Sequence, residues 1–137
     1  MFINIIGKKD QNGLFKFEIP VLSLDRRFNY KVGLHHLNFK MLESSQNYID
    51  NDLLCLTTSL IDLSNRNPLQ SLIAFGNDSR SIIRNYIPSI VQYHPIQLYD
   101  LENCSFSIRH YLSDREISLE YLYLNLEILR TDAYGRI

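Results

Sequence analysis

The sequence predicts an all-β fold, a sandwich or barrel of eight strands, on three observations. Composition is the first: 21 Leu, 16 Ile, 9 Tyr and 7 Phe stand against 2 Ala and 2 Met. Ile, Tyr and Phe suit a pleated, half-buried surface, whereas Ala and Met are helix formers. The second is a two-residue alternation of apolar and polar side chains, the period of a strand with one face in the core. The third is the spacing of turn-forming clusters, which recur at intervals typical of sandwiches and barrels.

Taken in order, the strand candidates begin with Phe2 to Ile6 and continue with Leu14 to Ile19, where Phe15, Phe17 and Ile19 share one face and Lys16 and Glu18 the other. The turn Asp10-Gln11-Asn12-Gly13 separates them. From Tyr30 to Met41 the alternation switches parity at His35-His36, which predicts a bulge or a bend, as in a strand passing between sheets. Leu53 to Ile61, Gln70 to Phe75, Val91 to Leu98, Cys104 to Tyr111 and Ile117 to Leu129 complete the eight. Turn clusters at 44–52, 65–68, 76–79 and 113–116 punctuate them. Two segments compete as helix. Ile82, Ile83 and Tyr86 give 79–86 the apolar stripe of about two turns before Pro88, and 98–103 has room for a single turn. In the last strand Leu122, Leu124, Leu126 and Ile128 form an aliphatic face that must be core, and Tyr121, Tyr123, Asn125 and Glu127 form the opposite one. Tyrosines there suit either a solvated sheet face or a subunit contact.

A length of 137 residues fits one domain, 1–137. Fourteen Lys and Arg against fifteen Asp and Glu leave a net charge of -1, so no polyanionic partner is indicated. Residues 1–42 carry seven basic against three acidic side chains, including Lys8-Lys9 and Arg26-Arg27, a count that exposed turns also produce. No apolar run approaches the ~20 residues of a membrane-spanning helix. The start, with no basic leader ahead of a long apolar stretch, reads as cytosolic synthesis. Cys55 and Cys104, each in an alternating segment, are expected to be buried free thiols.

No cofactor, metal or catalytic constellation is expected. Neither a nucleophile elbow nor a phosphate-cradling glycine loop occurs. His35 and His36, adjacent on a strand, are expected to face opposite sides and so not to share a metal. Cys104 and His110 lie about 20 Å apart along an extended strand, too far for a nucleophile and its base. Asp50-Asn51-Asp52 offers fewer than the roughly six oxygens calcium takes, and reads as a turn.

The order of features resembles the jelly-roll capsid proteins of Maverick/Polinton-type elements and their adintovirus-like or virophage-like relatives. The segments that carry the likeness are Phe15-Lys16-Phe17-Glu18-Ile19-Pro20, similar to the family's F-x-V-x-L-P strand, and Tyr30-Lys31-Val32-Gly33-Leu34-His35-His36-Leu37, similar to its W-E-V-A-L-x-x-I strand. Leu54 to Ile61, Gln70 to Phe75, Tyr93-His94-Pro95-Ile96, Cys104 to Arg109 and the closing aliphatic strand follow in the family's order. Two positions depart: Tyr30 stands where a Trp is usual, and 113–116 lacks a glycine. The resemblance implies an eight-stranded antiparallel jelly-roll β-sandwich of single-jelly-roll length, in the manner of a minor or vertex capsid subunit, whether viral or a host-retained copy.

Two functions fit. The first is a structural, self-assembling capsid subunit located in a virion or in the host cytosol or nucleus. Its partners are copies of itself and other capsid proteins, with neither a membrane nor nucleic acid implied. Its contact candidates are Tyr121, Tyr123 and the loop residues Asn65, Arg66, Asn67, Pro68 and Leu69. The second is a monomeric β-sandwich binding module that grips a ligand or partner protein with end loops at 43–52 and 76–84.

Overall fold

The computed structural model describes residues 1–42, 54–61, 68–72, 83–110, 114–132, 134 and 136, with 70–72 as backbone alone. Their strands are β1 (Phe2–Lys9), β2 (Phe15–Glu18), β3 (Asn29–Met41), β4 (Leu54–Thr58), β5 (Gln70–Leu72), β6 (Ile83–Tyr86), β7 (Tyr93–Pro95), β8 (Phe106–His110) and β9 (Leu119–Thr131). One sheet runs β2-β1-β9-β3-β6, with β7 also on β3, and the other runs β5-β4-β8. Every strand pairing is antiparallel. β6 and β7 follow one another along a single edge of β3, opposite Leu37–Lys40 and Lys31–Gly33. Among the described residues, nine segments therefore fill eight strand positions.

The fold is all-β, as alternation and composition predict, and its two sheets pack face to face. Leu122, Leu124, Leu126 and Ile128 of β9 are buried, as are Val32, Leu34, Leu37, Phe39 and Met41 of β3. They join Leu54 and Leu56 of β4 and Phe106 and Ile108 of β8 in one hydrophobic cluster. Burying each of these side chains stabilises by about 1.5–3 kcal/mol before chain entropy is subtracted. Cys55 and Cys104 are buried free thiols.

The parity switch in β3 is a bulge, visible as a register shift between Leu34 and His36 against β9. The strand stays in one sheet. Because Leu34 and Leu37 are both buried, the extra residue puts His35 and His36 together on the outer face, which corrects the expectation that they face opposite sides. A second shift near Lys40/Met41 does the same for Glu120 and Tyr121, between the buried Leu119 and Leu122.

The helix considered for 79–86 is not formed where the structure describes it. Ile83–Tyr86 is strand β6, bonded to β3, and 79–82 lie outside the described residues. The turn considered for 98–103 is a 3-10 turn at Leu101–Asn103. The strand expected over 91–98 shrinks to β7 plus an isolated bridge between Ile96 and Ile61, since Pro95 donates no N–H to a ladder. The β1–β2 turn forms as predicted: the Asp10 carboxylate accepts the N–H groups of Asn12 and Leu14 at 2.8 and 2.9 Å, and Gly13 takes a φ of 78°.

Strand order is nested. β1 pairs with β9, β3 with β6 and β7, and β4 with β5, as when a long antiparallel hairpin is rolled so that its inner and outer arms meet. β2 departs from this nesting: it bonds to β1 and meets β8 through the rings of Phe17 and Phe106, 5.8 Å apart.

Candidate functional site

The outer face of the larger sheet is the surface that the sequence singles out through Tyr121 and Tyr123. Register arranges it in rows across the strands. One row runs Lys16, Lys8, Tyr121, Lys40, Ile83, and the next Glu18, Ile6, Tyr123, Asn38, Asn85. A third holds Asn4, Asn125 and His36, and a fourth Phe2, Glu127, Gly33 and Tyr93. The two tyrosines sit side by side on β9, each half-buried. Phe2, Ile6 and Ile83 around them are exposed.

Hydrogen bonds between side chains tie neighbouring strands together across this face. Asn4 Oδ1 accepts from the Tyr123 hydroxyl at 3.0 Å and from Asn125 Nδ2 at 2.8 Å. Asn85 Oδ1 meets His36 Nε2 and accepts from Asn38 Nδ2, and the His36 ring stands edge-on to Tyr123 at 5.6 Å. The lysines are tied to neighbours: Lys8 to Glu18 at 3.4 Å, Lys16 to Asp10 at 3.1 Å and Lys40 to Glu120 at 3.0 Å. Glu18 and Asp10 are already counted among the acidic residues of 1–42, so of these pairs only Lys40–Glu120 offsets the basic excess there. Being exposed, each pair adds little stability.

At the β7 end, the Tyr93 hydroxyl donates to Glu127 Oε1 and His35 Nε2 lies 3.0 Å from the same oxygen. The bond to Glu127 pushes the Tyr93 hydroxyl up to about 12, and the bonds from Tyr93 and His35 hold the Glu127 carboxyl below its ordinary range. Both move away from neutrality, so this pair is set to fix geometry rather than to exchange protons near pH 7. Among the described residues, no three His, Cys, Asp or Glu side chains are grouped to hold a metal, and no helix is long and apolar enough to cross a membrane.

Of the loop contact candidates, Asn65, Arg66 and Asn67 lie outside the described residues. Pro68 is half-buried. Leu69 is fully buried, its N–H donating to Leu56 O at 2.8 Å, so its side chain offers no contact surface. Of the end loops, 43–52 and 76–82 lie outside the described residues, as does Asp50-Asn51-Asp52, and Ile83 and Arg84 belong to β6. Sequence reasoning missed Asn4, His35, His36 and Tyr93 as members of the face. One signal for Tyr93 was available: Gly33 inside a strand marks a close approach, and a Cβ there would sit 2.8 Å from the Tyr93 ring.

No protein-family model, curated protein or solved structure matches this chain.

Proposed function

We propose that the chain is a structural subunit, a single jelly roll of the viral or virus-derived capsid kind, that works by assembling with copies of itself. The observation that carries this reading is the nested strand order, in which β1 with β9, β3 with β6 and β7, and β4 with β5 follow the path of a rolled hairpin. The likeness of the chain's strand sequence to Maverick/Polinton-type capsid proteins supports the same reading. So does the outer face of the larger sheet, where tyrosines with polar tips stand among amides and exposed apolar side chains, a mixture suited to protein contacts. Side-by-side subunits in a closed ring bury such faces without any chemistry, and cyclic symmetry limits their number.

The test is solution mass by light scattering over at least a tenfold range of concentration, with negative-stain imaging of large species. A discrete ring or shell is the expected result. A monomer at every concentration overturns the reading.

A further inference from the structure

We propose a second contact site, separate from the outer sheet face: a slot between β2 and β8 that takes a short extended peptide from another protein chain as an added strand. The two sheets differ in width. Among the described residues the larger one reaches out to β2, whereas the smaller one ends at β8. The inner side chains of β2, Phe15 and Phe17, lie over Gly7, where a Cβ would come within 2.7–2.8 Å of both rings. No described strand of the smaller sheet lies opposite them beyond β8, and both rings remain half-buried. A groove of about 710 Å³ opens here, lined by Phe15 and Phe17 on one side, Ser105, Phe106 and Ser107 on the other, and Leu42 among the residues between.

The backbone around this groove specifies the occupant. Just before β2, Leu14 O accepts from Asp10 N on the β1 side, so alternation turns the N–H and C=O groups of Phe15 and Phe17 away from β1. Just before β8, Ser105 O accepts from Ser59 N on the β4 side, so those of Phe106 face outward. The chain itself begins a strand on that outer edge: Arg115 O accepts from His110 N at 2.9 Å and Ile117 N donates to Ile108 O at 2.9 Å. It then leaves at Ser118, whose carbonyl is taken by Leu42 N. The next position along the edge is Phe106. Among the described residues β2 pairs with β1 alone, and nothing continues the strand past Ile117. Phe17 already packs on Phe106, and a peptide in extended form meets the outward groups of Phe106 while laying a side chain over Phe15 beside that ring contact. The occupant is therefore a segment of alternating apolar and polar residues, and side chains of its apolar face complete the inner layer.

The test uses the full chain and two synthetic probes: an acetylated, amidated hexapeptide of alternating Val and Thr, and the same peptide N-methylated at alternate amides on its bonding edge. Backbone amide NMR shifts locate binding, and titration gives affinity. The unmethylated peptide is expected to shift Phe15, Phe17 and Phe106 and to bind about tenfold tighter per blocked bond. Phe15→Lys, at a half-buried ring, is expected to weaken it while the remaining spectrum stays folded. Absence of binding, equal affinity of the two probes, or shifts confined to another surface overturns the proposal. None of these outcomes bears on whether the chain forms rings through its outer sheet face.

Discussion

Tyr93 on β7 and Glu127 on β9 reach each other across the width of β3, because the residue between them in register is Gly33. The phenol passes over the one position in that row without a side chain, and the carboxylate receives it together with His35. Two strands that share no ladder are thereby tied on the outer face, beside the tyrosines proposed as the assembly contact.

Removing the phenol hydroxyl tests the tie. In Tyr93→Phe, the Glu127 carboxyl should rise toward its ordinary value of 4.5, since the Tyr93 bond is the largest cause of its depression. A depressed carboxyl stabilises the fold above the unfolded-state value and loses that contribution as pH falls through the folded one. The variant should therefore lose about 1 kcal/mol at neutral pH and show a weaker decline on acidification. Carboxyl NMR titration and denaturation at several pH values check both.

Gly33→Ala tests the clearance. The added Cβ would lie 2.6 Å from Val91 Cγ1 and 2.8 Å from the Tyr93 ring, so β7 must shift away from β3. A loss of about 1–3 kcal/mol is expected, measured by chemical denaturation, together with movement of the Tyr93 and Glu127 resonances.

His94 lies on the inner side of β7, where its ring is bonded to the Leu69 backbone and its Nε2 is buried without a hydrogen-bond partner among the described residues. Desolvation lowers its pKa from the ordinary 6.5, so the unfolded chain takes the proton more readily than the folded one. Stability should be unaffected well above pH 6.5 and should fall as pH drops below it. His94→Phe should flatten that part of the profile in thermal melts across pH 4.5–8.

Burial pushes the Cys104 thiol up to about 11 and raises Cys55 as well. At pH 8 only about one Cys104 in a thousand is thiolate. Alkylation by iodoacetamide should be slow in the native protein and should become fast for both cysteines in denaturant. Rapid native labelling of Cys104 would contradict its placement in the core.

The features legible in the sequence are those written in local periodicity. β9 shows its core face as four aliphatics two apart, and the β3 bulge shows as a change of parity at His35-His36. The same bulge defeated a finer inference, because strict alternation assigns those histidines to opposite faces and an extra residue does not. The stripe Ile82, Ile83 and Tyr86 fits both a helix and a short strand, and pairing with β3 decides it. The Tyr93–Glu127 tie and the Asn4–Tyr123 bond join residues 34 and 119 positions apart. No period reveals such contacts, since they follow from which strands are neighbours.

The proposed assembly contact of this chain is the face bearing Tyr121 and Tyr123. The direct measurement is light-scattering mass of the wild type and of Tyr121→Ala/Tyr123→Ala, side by side over the same concentrations, with circular dichroism confirming that both are folded. The wild type should show a discrete multiple of the chain mass and the double variant a shift to monomer. A monomeric wild type, or an assembly unchanged in the folded variant, would contradict the proposed contact.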